Sequence, residues 1–204
     1  MIMRSFLHTL IDALFPPSPN ALFVRSTTPE TLLAQYAPRS IGGITALTEY
    51  RTPLMRALIH EAKFHMNERA ITLLGTLLAH HLTTIGATHA HIIPIPLARK
   101  RLRERGYNQV ARIVALAQAL VPAPLPNTTL LTKIHETAPQ TTLTRSERLS
   151  NLAGAFAVGT HALSLDTPLI ICDDITTTGS TLEEAGRALR TAGFTHITLL
   201  ALAH

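Results

Sequence analysis

The sequence predicts an α/β fold, a mainly parallel sheet flanked by helices, with a small irregular N-terminal lobe. Three observations predict it. Short apolar runs of strand length alternate with stretches of helical spacing, the order that builds a parallel sheet. The run Leu169-Ile-Ile-Cys172 is too short and too uniformly apolar for a surface element, so it reads as a buried strand. That run passes into two carboxylates, Asp173 and Asp174, then into a loop of small hydroxyl residues, and a helix opens at Leu182. An open α/β sheet binds ligands at the carboxyl ends of its strands, where those two acids stand.

Each element follows from local pattern. Residues 1–15 have amphipathic helical spacing (Ile2, Phe6, Leu10, Leu14), and Pro16 and Pro17 end the helix. Residues 16–38 are rich in Pro, Ser and Thr and read as an irregular lobe with one short apolar segment at 21–24. A strand is expected over 41–47. Leu54, Leu58, Ile59 and Ala62 mark a helix over 53–64, and a second apolar stripe marks one over 70–82. Residues 91–95 read as a short strand, and 99–105 as a basic loop. Asn108 can cap a helix over 109–120, which Pro122 to Pro126 break. Strands are expected over 130–135 and at Phe156 and Val158. Between them lies a long polar loop, 137–151, of the kind that is functional or mobile. A helix over 182–192 stops at Gly193, and a final strand covers 196–202. The division expected is a lobe at 1–45 and a main domain at 46–204.

Composition narrows the classes. With 204 residues, 46% of them hydrophobic, the chain can bury one sizeable core plus an appendage, which excludes disorder. There is no apolar run of about 18 residues, so no membrane span is expected. Cys172 is the single cysteine, which excludes a disulfide framework; a cytoplasmic location follows by default. A net charge of +5 suits anionic partners, phosphorylated metabolites or nucleic acid, and part of it is gathered in Arg99-Lys-Arg-Leu-Arg-Glu-Arg105. Aromatic residues, at 4%, leave few stacking platforms for single strands.

Three constellations carry chemistry. In the first, Asp173 and Asp174 can accept from two ring hydroxyls. Thr176, Thr177, Thr178, Gly179, Ser180 and Thr181 then offer backbone N–H groups and hydroxyls at a helix N-terminus, a phosphate cradle. Gly179 allows the tight turn. Together they suit a sugar phosphate. In the second, Pro94-Ile-Pro-Leu97 leads into the arginine cluster and Gly106-Tyr-Asn-Gln109. Bunched arginines can neutralise a multiply charged phosphate, although composition alone favours a solvated basic turn or a nucleic-acid patch. In the third, residues 140–143 with Arg145, Arg148 and Asn151 form a polar loop able to close over a diphosphate and exclude water. Neither an ATP-hydrolysing P-loop nor a G-x-G-x-x-G is present. His60-Glu61…His65 is one residue longer than H-E-x-x-H, which spoils the i, i+4 geometry of a helical metal site, and the histidines read as satisfied or surface groups.

The stretch 169–181 closely resembles the 5-phosphoribosyl-1-pyrophosphate (PRPP) signature of type I phosphoribosyltransferases. With the other two constellations in the same order, and with Tyr50, Pro53, Leu54 and Lys63 upstream, the chain resembles the ComF/GntX family of competence-associated, amidophosphoribosyltransferase-like proteins from about Thr48 onward. The resemblance implies a type I phosphoribosyltransferase-like fold. It implies that Asp173 and Asp174 bind the ribose hydroxyls and that the loop 176–181 binds the 5′-phosphate. Arg103, Arg105, Gly106, Asn108 and Gln109 would lie toward pyrophosphate or acceptor, Arg148 in a closing loop, and Lys63 at the family's lysine position. Mg²⁺ would arrive with pyrophosphate, held largely by substrate oxygens and waters. The family's paired cysteines of an N-terminal zinc ribbon are missing here, so no zinc is expected, and the lobe is held by packing or loosely ordered. The activity implied is transfer of a phosphoribosyl group to or from an acceptor. The alternative is a non-catalytic accessory in competence, binding nucleotide, DNA or a DNA-processing partner such as a helicase.

Overall fold

The computed structural model describes residues 17–122, 126, 129–134 and 154–204. The helix expected over 1–15 and the loop expected over 137–151, with Arg145, Arg148 and Asn151, lie outside the described residues.

The lobe expected to be irregular is helical instead. Ser18 Oγ accepts from Ala21 N at 3.1 Å and opens α1 (Pro19–Ser26). Thr28 Oγ1 accepts from Thr31 N at 3.3 Å and opens α2 (Pro29–Leu33). In both, proline takes the first turn, where its missing N–H costs nothing. Val24 and Leu32 are fully buried in the same apolar cluster as the helices that follow, so the lobe is held by packing.

A hairpin comes next: β1 (Arg39–Ile41) and β2 (Ile44–Thr48), joined by Gly42 and Gly43, both at positive φ. Then follow α3 (Pro53–Phe64), α4 (Glu68–Thr84), β3 (His91–Pro94), α5 (Arg99–Arg105) and α6 (Gln109–Leu120). The short strands β4 (Leu131–Lys133) and β5 (Phe156–Val158) pair antiparallel as a separate two-stranded ribbon. The chain continues through β6 (Leu169–Ile175), α7 (Ser180–Thr191) and β7 (Ile197–Ala203). The basic segment read as a loop is thus the helix α5. It buries no residue, so it shows no apolar period, while Arg, Lys, Leu and Glu all favour helix.

The main sheet has the order β1-β2-β7-β6-β3. The pairs β2–β7, β7–β6 and β6–β3 are parallel, and β1 adds an antiparallel edge. Alternation along the strands divides the core. Ile170, Cys172, Leu200 and Leu202 pack with α1 to α4 and α6. Leu169, Ile171, Leu199 and Ala201 pack with α7, Leu131 and Phe156. Among the described residues no helix is long and apolar enough to cross a membrane.

The crossing of α4 and α6 depends on Gly75. A Cβ there would stand 2.4 Å from Leu116 Cδ2, 3.1 Å from Leu116 Cβ and 3.3 Å from Ile113 O. Gly75→Ala gains about 1 kcal/mol of helix propensity. It also forces the helices apart, at a cost of roughly 1–3 kcal/mol. The expected net is a loss of about 1 kcal/mol by urea denaturation; a more stable variant would mean that Leu116 yields freely.

Candidate functional site

The site is built at the carboxyl ends of the parallel strands. β6 does not stop before its acids. It runs through them to Ile175, with Asp173 in register with Ala201 and Ile175 with Ala203. Asp173 and Asp174 therefore sit on rigid strand rather than in the loop. Asp174 follows Ile170 and Cys172 in the alternation, toward α6. It is 7% exposed, and its Oδ2 accepts from Gln109 Nε2 at 2.7 Å. Gln109 Oε1 in turn accepts from Arg105 Nη1 at 2.8 Å. A relay, buried at Gln109 and Asp174 and partly exposed at Arg105, thus joins the basic helix to the acid pair. Asp173 follows Leu169 and Ile171 and remains partly accessible.

Backbone donors support both acids. Asp174 N donates to Asp173 Oδ1 and Ile175 N to Asp174 Oδ1, each at 2.8 Å. The Asp173 carboxyl is nevertheless pushed well above the usual carboxylate range, first by burial and then by the Asp174 charge. Lys63, in the last turn of α3, opposes that shift and so lies within electrostatic reach of Asp173. A second lysine, Lys133 of β4, is held below its ordinary value by burial first and then by Arg101, while Asp173 acts the other way. Buried Cys172 beside the pair has its thiol pushed up by burial and by both carboxylates, which makes it unreactive.

The loop after β6 turns sharply. Thr176 N donates to Ala203 O at 2.9 Å, which ties the loop to β7. Gly179 takes φ +83 and is the N-cap of α7, with no side-chain hydrogen bond to the helix's first N–H groups. Thr178 Oγ1 and Ser180 Oγ share a hydrogen bond at 3.0 Å, while Thr177 is exposed and Thr181 partly so. A cavity of about 310 Å³ is lined by Thr176 to Gly179, Ile44, Glu183 and His204. A second, of about 450 Å³, shares Thr176, Thr177 and His204 with it and adds Tyr50, Arg51 and the ion-paired Arg39 and Glu49. The loop is therefore open to solvent space on two sides.

The basic region divides in the structure. Arg99 and Arg103 line a third cavity, of about 430 Å³, with Lys133. Arg105 turns to Gln109 and stacks over Phe64, 5.7 Å from the ring centroid. Gly106 is the left-handed end of α5, at φ +78. Asn108 caps α6 through Val110 N at 3.0 Å and donates to Ile95 O at 2.9 Å. Tyr107 Oη donates to Ala62 O at 2.8 Å and accepts from Met66 N at 3.0 Å, fastening this turn to the end of α3.

Sequence reading missed Lys133, Gln109's bond to Asp174, and Glu184. Glu184 is buried in α7, and its Oε1 accepts from Gly154 N at 2.7 Å. Its carboxyl is held below the usual range, chiefly by hydrogen bonds from Arg187. The Gln109–Asp174 and Gly154–Glu184 partners are remote in sequence, and no local spacing marks them; only Arg187 stands at helical i, i+3 spacing from Glu184. His60 and His65 are surface groups, as read from the sequence. His60, Glu61 and His65 do converge, because α3 ends at Phe64 and His65 leaves the helical path (φ −119, ψ 1).

No family model matches the chain. Over 113 residues the chain is 32% identical to Competence protein F of Haemophilus influenzae, a stretch that covers 55% of this chain and 49% of that protein. The chain thus spans about half the length of the curated relative it matches.

Proposed function

We propose that the chain binds PRPP or a ribose 5-phosphate nucleotide with Mg²⁺ and transfers the phosphoribosyl group to or from an acceptor. One observation supports this reading: a rigid acid pair on β6 leads into an open cavity of about 310 Å³ at the start of α7, where no side chain caps the helix. The loop 176–181 receives the 5′-phosphate on first-turn N–H groups of α7 and on hydroxyls. Asp173, the more accessible acid, accepts from one ribose hydroxyl, and Asp174, oriented by Gln109, from the other. Lys63, Lys133, Arg99 and Arg103 gather positive charge for the pyrophosphate. Mg²⁺ would arrive with the pyrophosphate, held largely by substrate oxygens and waters, and would neutralise its charge. In the transfer the C1–O bond to pyrophosphate breaks with its electron pair leaving on pyrophosphate. A bond from the acceptor's nucleophilic atom to C1 forms. A proton carried by that atom passes to water or to the leaving group. Fixed charges near an oxocarbenium-like centre lower the barrier by positioning and electrostatics.

A second reading rests on the similarity to Competence protein F and on the exposed basic helix α5: an accessory role in competence, with contact to DNA or a DNA-processing protein. Calorimetric titration separates the two. Saturable PRPP binding that requires Mg²⁺ and changes little between low and moderate salt is expected from the first. Absence of PRPP binding, with DNA affinity that falls steeply with salt, would replace it by the second.

A further inference from the structure

We propose that His60, Glu61 and His65 form a binding site for a divalent transition cation of the zinc class. The proposal stands apart from the ribose-phosphate reading. One ligand atom from each of the three lies within 4.8 Å of the others. The imidazoles of His60 and His65 are 5.3 Å apart between centroids. Ligands of a tetrahedral zinc site stand about 3.4 Å apart, given metal–ligand bonds of about 2.0–2.1 Å. Both histidines are exposed, so small side-chain rotations close the difference.

The carboxylate is the unusual member. Glu61 is 2% exposed, yet among the described residues no lysine or arginine forms an ion pair with it. Its described hydrogen-bond partners are neutral: Ser18 Oγ donates to Oε1 and Asn67 Nδ2 to Oε2, each at 3.0 Å. Each carboxylate oxygen keeps a second lone pair. A buried carboxylate calls for a compensating cation, and its two fixed donors resemble the outer groups that orient metal ligands. The turn is also held in an uncommon shape. Met66 sits at φ 48, a left-handed conformation for a non-glycine residue, and Tyr107 Oη pins its N–H. Two imidazoles and a carboxylate, with water in a fourth position, favour zinc-like cations over Mg²⁺. Because Ser18 caps α1 and Asn67 caps α4, a cation there would brace the N-terminal helix against the α3–α4 turn.

The test is isothermal titration of Zn²⁺, and separately Mg²⁺, into the metal-stripped, tag-free full chain. One Zn²⁺ per chain should bind, with a rise in Tm by mass action, while Mg²⁺ binds far more weakly. His60→Gln and His65→Gln change exposed residues and should keep the native circular dichroism. Each should weaken Zn²⁺ by at least about tenfold. PRPP binding by these variants is a separate readout, so loss of one site is distinguishable from loss of the other. Absence of saturable Zn²⁺ binding, equal affinity for Mg²⁺, or unchanged Zn²⁺ affinity in the double variant would overturn the site.

Discussion

Asp173→Asn is expected to stabilise the ligand-free protein while removing most of its affinity for ribose 5-phosphate. The two effects share one cause. Burial and the Asp174 charge raise the Asp173 carboxyl above its unfolded value of about 3.9. Between that value and the raised one, the folded state binds more protons than the unfolded state, so stability falls as pH rises through this window. Above it the penalty is constant. Asparagine is never charged, has nearly the same shape, and can still accept from Asp174 N. The gain at neutral pH should be about 1 kcal/mol, in the range of relief at strained functional sites, or roughly 2–4 °C in Tm for a chain of this size. It should vanish near pH 3, where the wild-type carboxyl is protonated in both states. Melting curves at pH 3 and pH 7.5, with calorimetry on ribose 5-phosphate, check both halves. A variant less stable than wild type at pH 7.5 would contradict the electrostatic account, and one with intact affinity would remove Asp173 from the sugar site.

Gly179→Val should cost both stability and phosphate binding. A side chain at φ +83 is strained whatever space is available, and here space is lacking. The new Cβ would stand 2.6 Å from Ile44 Cδ1 and 3.3 Å from Glu183 Oε1. Left-handed strain of about 1–2 kcal/mol and overpacking of about 1–3 kcal/mol together suggest a loss of roughly 3 kcal/mol, or about 10 °C in Tm. The loop that turns on Gly179 must shift, and the N–H groups of α7 no longer converge on one anion. Inorganic phosphate and ribose 5-phosphate titrated into the variant, held below its lowered Tm, supply the measurement. Affinity equal to wild type would mean that the phosphate is held elsewhere.

What was legible from the residues is what is local. The helices 53–64 and 109–120 have the expected bounds because Thr52 and Asn108 cap them and apolar stripes run through them. The acid pair and its loop are contiguous, so strand, carboxylates, glycine and helix start are read as one phrase. The lobe was misread because α1 buries only Val24 and α2 only Leu32, too little for a periodic signal. The local clues there were Ser18 before Pro19 and Thr28 before Pro29. Pairings across the fold were illegible in principle: Gln109 meets Asp174 over 65 positions, and Glu184 meets Gly154 over 30. The histidine trio was discounted because H-E-x-x-x-H misses the helical i, i+4 spacing, a rule that does not govern His65, which lies past the helix end at Phe64.

The place of β7 has a consequence for how the protein comes to be made. Residues 197–203 lie between β2 at 44–48 and β6 at 169–175, with Thr48 Oγ1 donating to Leu202 O across 154 positions. On a ribosome, β2 is exposed long before its neighbour exists. Until β7 emerges, the sheet is two separate pieces, β1–β2 and β3–β6, each with a bare edge. Contacts of such long separation form slowly. The nascent chain therefore carries β2 with one bare edge until residue 203 has emerged, and the same event that closes the sheet brings Ala203 to the Thr176 amide and fastens the loop after β6 to β7.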